Sequence, residues 1–371
     1  MTIEKSGALA AQHLRQLIND AVISADETIS ESQIQPASID LRLGTTAYRV
    51  RSSFLPGKDR SVSDCLGDMV MHKIDLSEGA VLEKSCVYIV PLLEHLKLPN
   101  DLCAAGNPKS STGRLDVFTR LITDNGVEFE QVKAGYHGQL YAEIAPLTFS
   151  VLVRKGSRLS QLRIRSGKST IDDASHIALQ ANVKLVDREL ENSEIRNGVP
   201  LSVDLCGDPD TGLIGYRAKR HSGVVDVDKL AAHTMAAYWE PLYVNKGSVQ
   251  NGQLILDPGE FYILVSKESV HVPIDYAAEM VAYDTLVGEF RVHYAGFFDP
   301  GFGVPEAGGG GSKAVLEVRS FDVPFLLEHN QNVGRLVYER MLSTPDKIYG
   351  QDMQSNYQAQ GLKLSKHFVM D

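Results

Sequence analysis

Apolar positions follow a helical rhythm in only one clear stretch near the start of the chain. Between Leu9 and Ile23, Ala10, Leu14, Leu17, Ile18 and Ala21 recur at the spacing of one helix face, with Ser6 or Gly7 as the opening residue. Beyond it the rhythm changes. Short runs rich in Val, Ile, Leu, Tyr and Phe alternate with turn signals such as Leu55-Pro56-Gly57, Gly106-Asn107-Pro108, Lys155-Gly156, Asp257-Pro258-Gly259 and Asp299-Pro300-Gly301. Many short strands separated by Gly and Pro predict compact, mostly β domains behind a short N-terminal helix.

The pattern also repeats. PASIDL (36–41) resembles PLSVDL (200–205), and VLEKSCVYIVPLLEHLKLPNDLCA (81–104) resembles 254–280. GYHGQLYAEI (135–144) resembles the segment from Gly301 to Val318, and GSRLSQLRI (156–164) resembles NVGRLVYERM (332–341). Four matches in one order predict two copies of one β domain. The expected division is 1–180, a charged linker at 181–199 centred on VDRELENSEIR, and 200–371. The offset between copies drifts, and loop insertion at Gly308–Gly311 is the expected source.

Composition narrows the class. With 371 residues, 43% hydrophobic and 23% charged, the chain reads as globular. No run of about 18 apolar residues predicts a membrane span, and MTIEKSGALAAQ has no apolar core of a secretion signal. The net charge of −10 repels a polyphosphate backbone, so no nucleic-acid polymer is expected as partner. Cys65, Cys86, Cys103 and Cys206 form no Cys-x-x-Cys pair and read as reduced, cytoplasmic thiols.

Two places carry candidate chemistry. PKSSTGR (108–114) is a polar run between apolar stretches, either an ordinary loop or an anion cradle of backbone amides flanked by Lys109 and Arg114. Glu143 lies among apolar residues in QLYAEIAPL. It either faces solvent on an alternating strand or is buried, where desolvation raises its pKa toward the range a general base needs unless a cation such as Arg114 holds it ionised. The zinc deaminase signature, His-Glu-x-x-His, a Walker loop and a dinucleotide fingerprint are all absent. The eleven histidines are scattered, offer no metal-ligand spacing and read as surface or core residues.

QPASIDLRLG (35–44), KSSTGRL (109–115), GYHGQLYAEI (135–144) and the tail SNYQAQGLKLSKHF (355–368) together resemble the dCTP deaminases, relatives of the trimeric dUTP diphosphatases. The resemblance covers the first copy and the tail well and the second copy weakly. It implies two fused dUTPase-like distorted β-barrel (β-clip) domains, assembled as a homotrimer with sites between subunits. It also implies zinc-independent hydrolysis of dCTP to dUTP and ammonia, with Mg2+ accompanying the triphosphate. By position, Glu143 matches the family's general base, Ser110 the hydroxyl that orients water and the amino group, and Arg114 the charge-stabilising arginine. Lys109 and Ser111 match residues near the phosphates, and Tyr357 and Gln360 match the tail that closes over the nucleotide.

The sequence departs from the family pattern at several points. Lys109 stands where arginine is usual. Lys133 stands where aspartate is common, which argues against dUTP hydrolysis in the first copy. The second copy keeps Asp299-Pro300-Gly301 and Glu317, but has Thr285, Leu286 and Glu289 in place of Ser110, Ser111 and Arg114. One active copy is therefore expected. The rival expectations are a bifunctional enzyme ending at dUMP and a non-catalytic nucleotide-binding regulator.

Overall fold

The structure is a computed structural model that describes residues 6–247, 249–250, 252–282, 290–293, 296–305, 310–350 and 361–369. The chain forms two compact units. The first takes Met1–Ser169, Gly223–Ala232 and Arg340–Lys347, and the second takes Thr170–Ser222, His233–Glu339 and Ile348–Asp371. Both are mostly β, as the strand-and-turn rhythm predicts.

In the first unit the largest sheet runs in the order Val70–Asp75, Thr46–Val50, Val87–Lys97, His137–Pro146, Val117–Thr123, with Ile23–Ala25 also along Val87–Lys97. A second sheet joins Gly7–Ala8, Ser160–Ser166, Leu102–Pro108 and Gln131–Val132, with Ile39–Leu41 beside Ser160–Ser166. A third holds Ala80–Leu82, Val151–Val153 and Val225–Asp226. The described strands follow open orders rather than one closed ring. The predicted N-terminal helix is shorter than its apolar rhythm, Ala11–Asn19, because Ala21 turns the chain at φ 54° and Ile23 begins a strand.

The second unit repeats this wiring. Its matching sheet runs Trp239–Tyr243, Leu213–Ala218, Phe261–Val270, Ser312–Ser320, Phe290–His293. Glu143 lies between Ile89 and Arg120, and Glu317 lies between Ile263 and His293. The offset at the acid is 174 (317 − 143), and it is the same at the isoleucine (263 − 89).

Strand register corrects the alignment of the first motif. Ile39 pairs with Leu162, and Val199 pairs with Leu336, so Ile39 corresponds to Val199 at an offset of 160 (199 − 39). The PASIDL/PLSVDL match is therefore four residues out of register, and Asp40 corresponds to Pro200 rather than Asp204. Because the offset rises from 160 to 174, the second copy carries 14 extra residues (174 − 160) between Leu201 and Ile263. Gly223–Ala232 falls within that stretch, and it adds a parallel strand to Val151–Val153 of the first unit. The net drift thus arises there, not at Gly308–Gly311.

The structure also divides the chain differently from 1–180, 181–199 and 200–371. Helix Asp173–Val183 belongs to the second unit, and Leu185 and Val186 of the expected linker are buried in its core. Arg188 of the same stretch donates to the buried Glu268. The charges suggested a linker, but the apolar residues beside them are core.

Candidate active site

Glu143 sits in His137–Pro146, flanked by hydrogen-bonded strands, and is 1% exposed. Of the two readings the sequence allows, the buried one holds. Its partner is Arg120, directly opposite on the neighbouring strand. Arg120 Nε donates to Oε1 at 3.0 Å, and Nη2 donates to the same oxygen. Oε2 is buried with no hydrogen-bond partner among the described residues. The guanidinium is itself held: Nη2 donates to Ser53 Oγ at 2.8 Å, and Cζ lies 3.5 Å from the Phe129 ring centroid and 4.6 Å from that of Phe118.

Arg114 is therefore not the cation on Glu143. It is buried at the C-terminal end of the short helix Ser110–Gly113 that leads into Val117–Thr123. Sequence reasoning passed over Arg120. The usable signal was the one that picked Glu143, a charge inside a strand pattern (DVFTRLIT), together with the cross-strand pairing of opposite charges.

The loop 109–114 is more ordered than a cradle requires. Lys109 N donates to Leu159 O, Thr112 N and Gly113 N donate to Lys109 O, and Arg114 N donates to Ser110 O. These amides are committed to the backbone, so an anion cradle made of the whole loop is not what the structure builds. Ser110 and Ser111 open the helical turn, with Ser111 buried. Lys109 Nζ donates to Asp40 Oδ2, so this polar run and the QPASIDLRLG motif meet at one ion pair. Asp40 is buried, Arg158 approaches it at 3.9 Å, and its Oδ1 has no partner among the described residues.

Ile89, which pairs with Glu143 in the ladder, belongs to one buried apolar cluster with Val50, Val62, Leu66, Ile122 and Tyr141. Burial, with the charge of Asp124 nearby, pushes the Tyr141 hydroxyl up to about 12. The hydroxyl thus stays neutral and a hydrogen-bond donor at ordinary pH.

In the second unit Glu317 is buried at the matching node. Asp299 is buried and stands where Lys133 stands in the first unit: Val132 pairs with Ala104 and Phe298 pairs with Ala278, 174 further along (278 − 104). Each of these residues is followed two positions on by a left-handed glycine, Gly135 at φ 73° and Gly301 at φ 94°. Thr285, Leu286, Glu289, Tyr357 and Gln360 lie outside the described residues. The end of the tail is described, and it is anchored: Phe368–Val369 runs parallel to His233–Thr234, and Phe368 packs on Trp239.

One trio of metal-ligating side chains converges among the described residues, Asp204, Cys206 and His329 in the second unit. Two features oppose a metal there. His329 Nδ1 already accepts from Leu205 N at 3.2 Å, and Lys313 Nζ lies 3.8 Å from Asp204.

The geometry is that of a duplicated β domain with a buried carboxylate fixed at one node of each copy. Sequence-family profiles for the 2′-deoxycytidine 5′-triphosphate deaminase (DCD) N-terminal and C-terminal domains match residues 5–168 and 172–368. The chain belongs to the 2′-deoxycytidine 5′-triphosphate deaminase family. It resembles the crystal structure of 2′-deoxycytidine 5′-triphosphate deaminase from Agrobacterium tumefaciens with a TM-score of 0.86 and 56% identity, over 92% of this chain and 97% of that one. It is 33% identical over 123 residues to a Halobacterium salinarum protein named "dCTP deaminase, dUMP-forming", covering 32% of this chain and 58% of that protein. It is 31% identical over 141 residues to a Halorubrum lacusprofundi dCTP deaminase, covering 38% and 66%. The match thus spans about three-fifths to two-thirds of these two archaeal relatives. They and the Agrobacterium protein carry the name of an enzyme that acts on a C–N bond.

Proposed function

We propose that this chain hydrolyses dCTP to dUTP and ammonia at a site centred on Glu143, with Mg2+ riding on the triphosphate as part of the substrate. The observation that carries the reading is a carboxylate buried in the sheet, one oxygen held by a fixed guanidinium and the other unmatched among the described residues. Such an oxygen is available to a water molecule. Glu143 Oε2 takes a proton as the water oxygen bonds to C4 of cytosine. Attack pushes the C4=N3 electron pair onto ring N3, which takes up this proton from Glu143. The proton of the new C4 hydroxyl then passes to the exocyclic nitrogen, the C4–N bond breaks as C4=O forms, and ammonia leaves. Exclusion of bulk water by the apolar cluster strengthens every charge interaction in this sequence.

The remaining roles follow the family match by position. Ser110 orients the water and the amino group, Arg114 stabilises charge on the ring, and Ser111 lies near the phosphates. Lys109, whose ammonium donates to Asp40 and keeps further N–H donors, also lies near the phosphates. Tyr357 and Gln360 cover the nucleotide. Each unit is read as a distorted β-barrel of the dUTPase type (a β-clip), and the chain as a homo-oligomer, three chains by family analogy.

Replacing Glu143 with Gln keeps the shape and removes the proton acceptor. E143Q is expected to lower kcat for ammonia release by about 10²–10⁴-fold while retaining dCTP binding in a calorimetric titration. Unimpaired turnover would reject the assignment.

A second reading ends at dUMP with release of pyrophosphate. Asp299, at the position that Lys133 occupies in the first unit, favours it. Separating the products of dCTP and of dUTP incubated with magnesium decides between the two, because only the second reading yields pyrophosphate and consumes dUTP.

A further inference from the structure

We propose that Arg120 is the positioning residue of this site, holding Glu143 by Oε1 so that Oε2 alone handles protons. The inference rests on the reading of Glu143 as the proton acceptor and adds which oxygen acts and what aims it. Three observations carry it. Arg120 faces Glu143 in strand register, so the backbone ladder sets the distance between them. Both donors, Nε and Nη2, go to the one oxygen Oε1 instead of forming a fork across the two oxygens. Ser53 Oγ and the Phe129 ring fix the guanidinium from two further sides.

A purely structural ion pair would gain more by satisfying both carboxylate oxygens, because a buried acceptor without a donor is costly. Here the geometry leaves Oε2 buried and unmatched while two donors crowd its twin. That asymmetry selects one oxygen and turns it to a defined direction. Arginine suits the task better than lysine, since a planar group can lie on Phe129 and present two N–H bonds along one edge, whereas an ammonium is a point charge.

Arg120 acts through Glu143 and needs no contact with the nucleotide. Arg120→Lys keeps the positive charge but loses the two-point hold and the stacking. The expected result is a kcat lower by on the order of 10²-fold, the scale associated with a misplaced catalytic group, with KM for dCTP nearly unchanged. Arg120→Ala should show the same split, and added guanidinium ion should restore part of its kcat. Phe129→Leu removes the platform while leaving the ion pair, and an intermediate fall in kcat is expected. It serves as the second variant if Arg120→Ala fails to fold. Undiminished kcat in both Arg120→Lys and Phe129→Leu would overturn the proposal. So would a raised KM at unchanged kcat, which would make Arg120 a substrate contact. Failure of the wild-type chain to release ammonia from dCTP would instead overturn the underlying function, so the two failures are distinguishable.

Discussion

At the residue scale, the chain repeatedly buries a carboxylate and surrounds it with donors. Glu94 is fully buried and accepts from Arg42 N and Arg42 Nε, both at 2.8 Å, and from Gln33 Nε2 at 3.0 Å. Its counterpart Glu268, 174 residues on (268 − 94), accepts from Ser202 N and Ser202 Oγ at 2.8 Å and from Arg188 Nε at 3.0 Å. These carboxylates are saturated, and that sets them apart from Glu143, with its unmatched oxygen. Removing a saturated one strands its partner. Glu94→Ala leaves the Arg42 guanidinium buried without its counter-charge and is expected to destabilise the fold by about 3–5 kcal/mol, read as a lower urea midpoint at unchanged slope. The same comparison explains why Glu143 was recognisable in the sequence as an acid in a strand while its partner was not. The polar run 108–114 points to Arg114, but contact across a sheet follows strand pairing, which puts Arg120 opposite.

At the element scale, the added strand Val225–Asp226 shows how charge fastens a short segment. Asp226 accepts from Arg154 Nη1 at 2.8 Å and Nη2 at 3.0 Å, and Asp228 accepts from Ser157 Oγ at 2.7 Å. Hydrogen bonding from Arg154 holds the Asp226 carboxyl down at about 2. A carboxyl depressed in the folded state adds stability at pH values above its unfolded value, near 3.9. That contribution is lost as the pH falls through about 2. Asp226→Asn is therefore expected to lower stability at pH 7 by about 1 kcal/mol, since Arg154 is one-third exposed and solvent screens the pair. Its difference from wild type should shrink towards zero in melts taken near pH 2. Helix Val62–Met69 is the clearest element missed in the sequence. Its reciprocal cap, Ser61 Oγ accepting from Asp64 N and Asp64 accepting from Ser61 N, was written in plain residues. The helix is only eight residues long and lies among strand-like runs, so its periodicity carried little weight.

At the scale of the whole molecule, the two copies share wiring and differ in chemistry. Glu317 keeps the acid at the node, but His293 stands opposite it where the first unit has Arg120. With the arginine missing from that register, Glu317→Gln is expected to leave ammonia release within about two-fold of wild type, although loss of a buried charge lowers Tm. Equal loss of turnover in Glu143→Gln and Glu317→Gln would reveal a composite site. Duplication was legible in the sequence because both copies bury the same sheet faces, and that preserves apolar rhythm even where identities drift. Its fine register was not legible. PASIDL and PLSVDL look alike yet sit four residues apart in the strand ladder, and only hydrogen-bond pairing reveals it.

The sequence by itself determined the β class, the doubling, the acid at Glu143 and the family pattern, because burial and turn chemistry act locally and leave a trace in residue order. The tertiary structure decided which arginine meets that acid, that Lys109 is engaged with Asp40, and that part of the second half completes a sheet of the first unit. Those outcomes depend on strands brought side by side from distant parts of the chain, and pairing across a sheet follows register and closure rather than nearness in sequence.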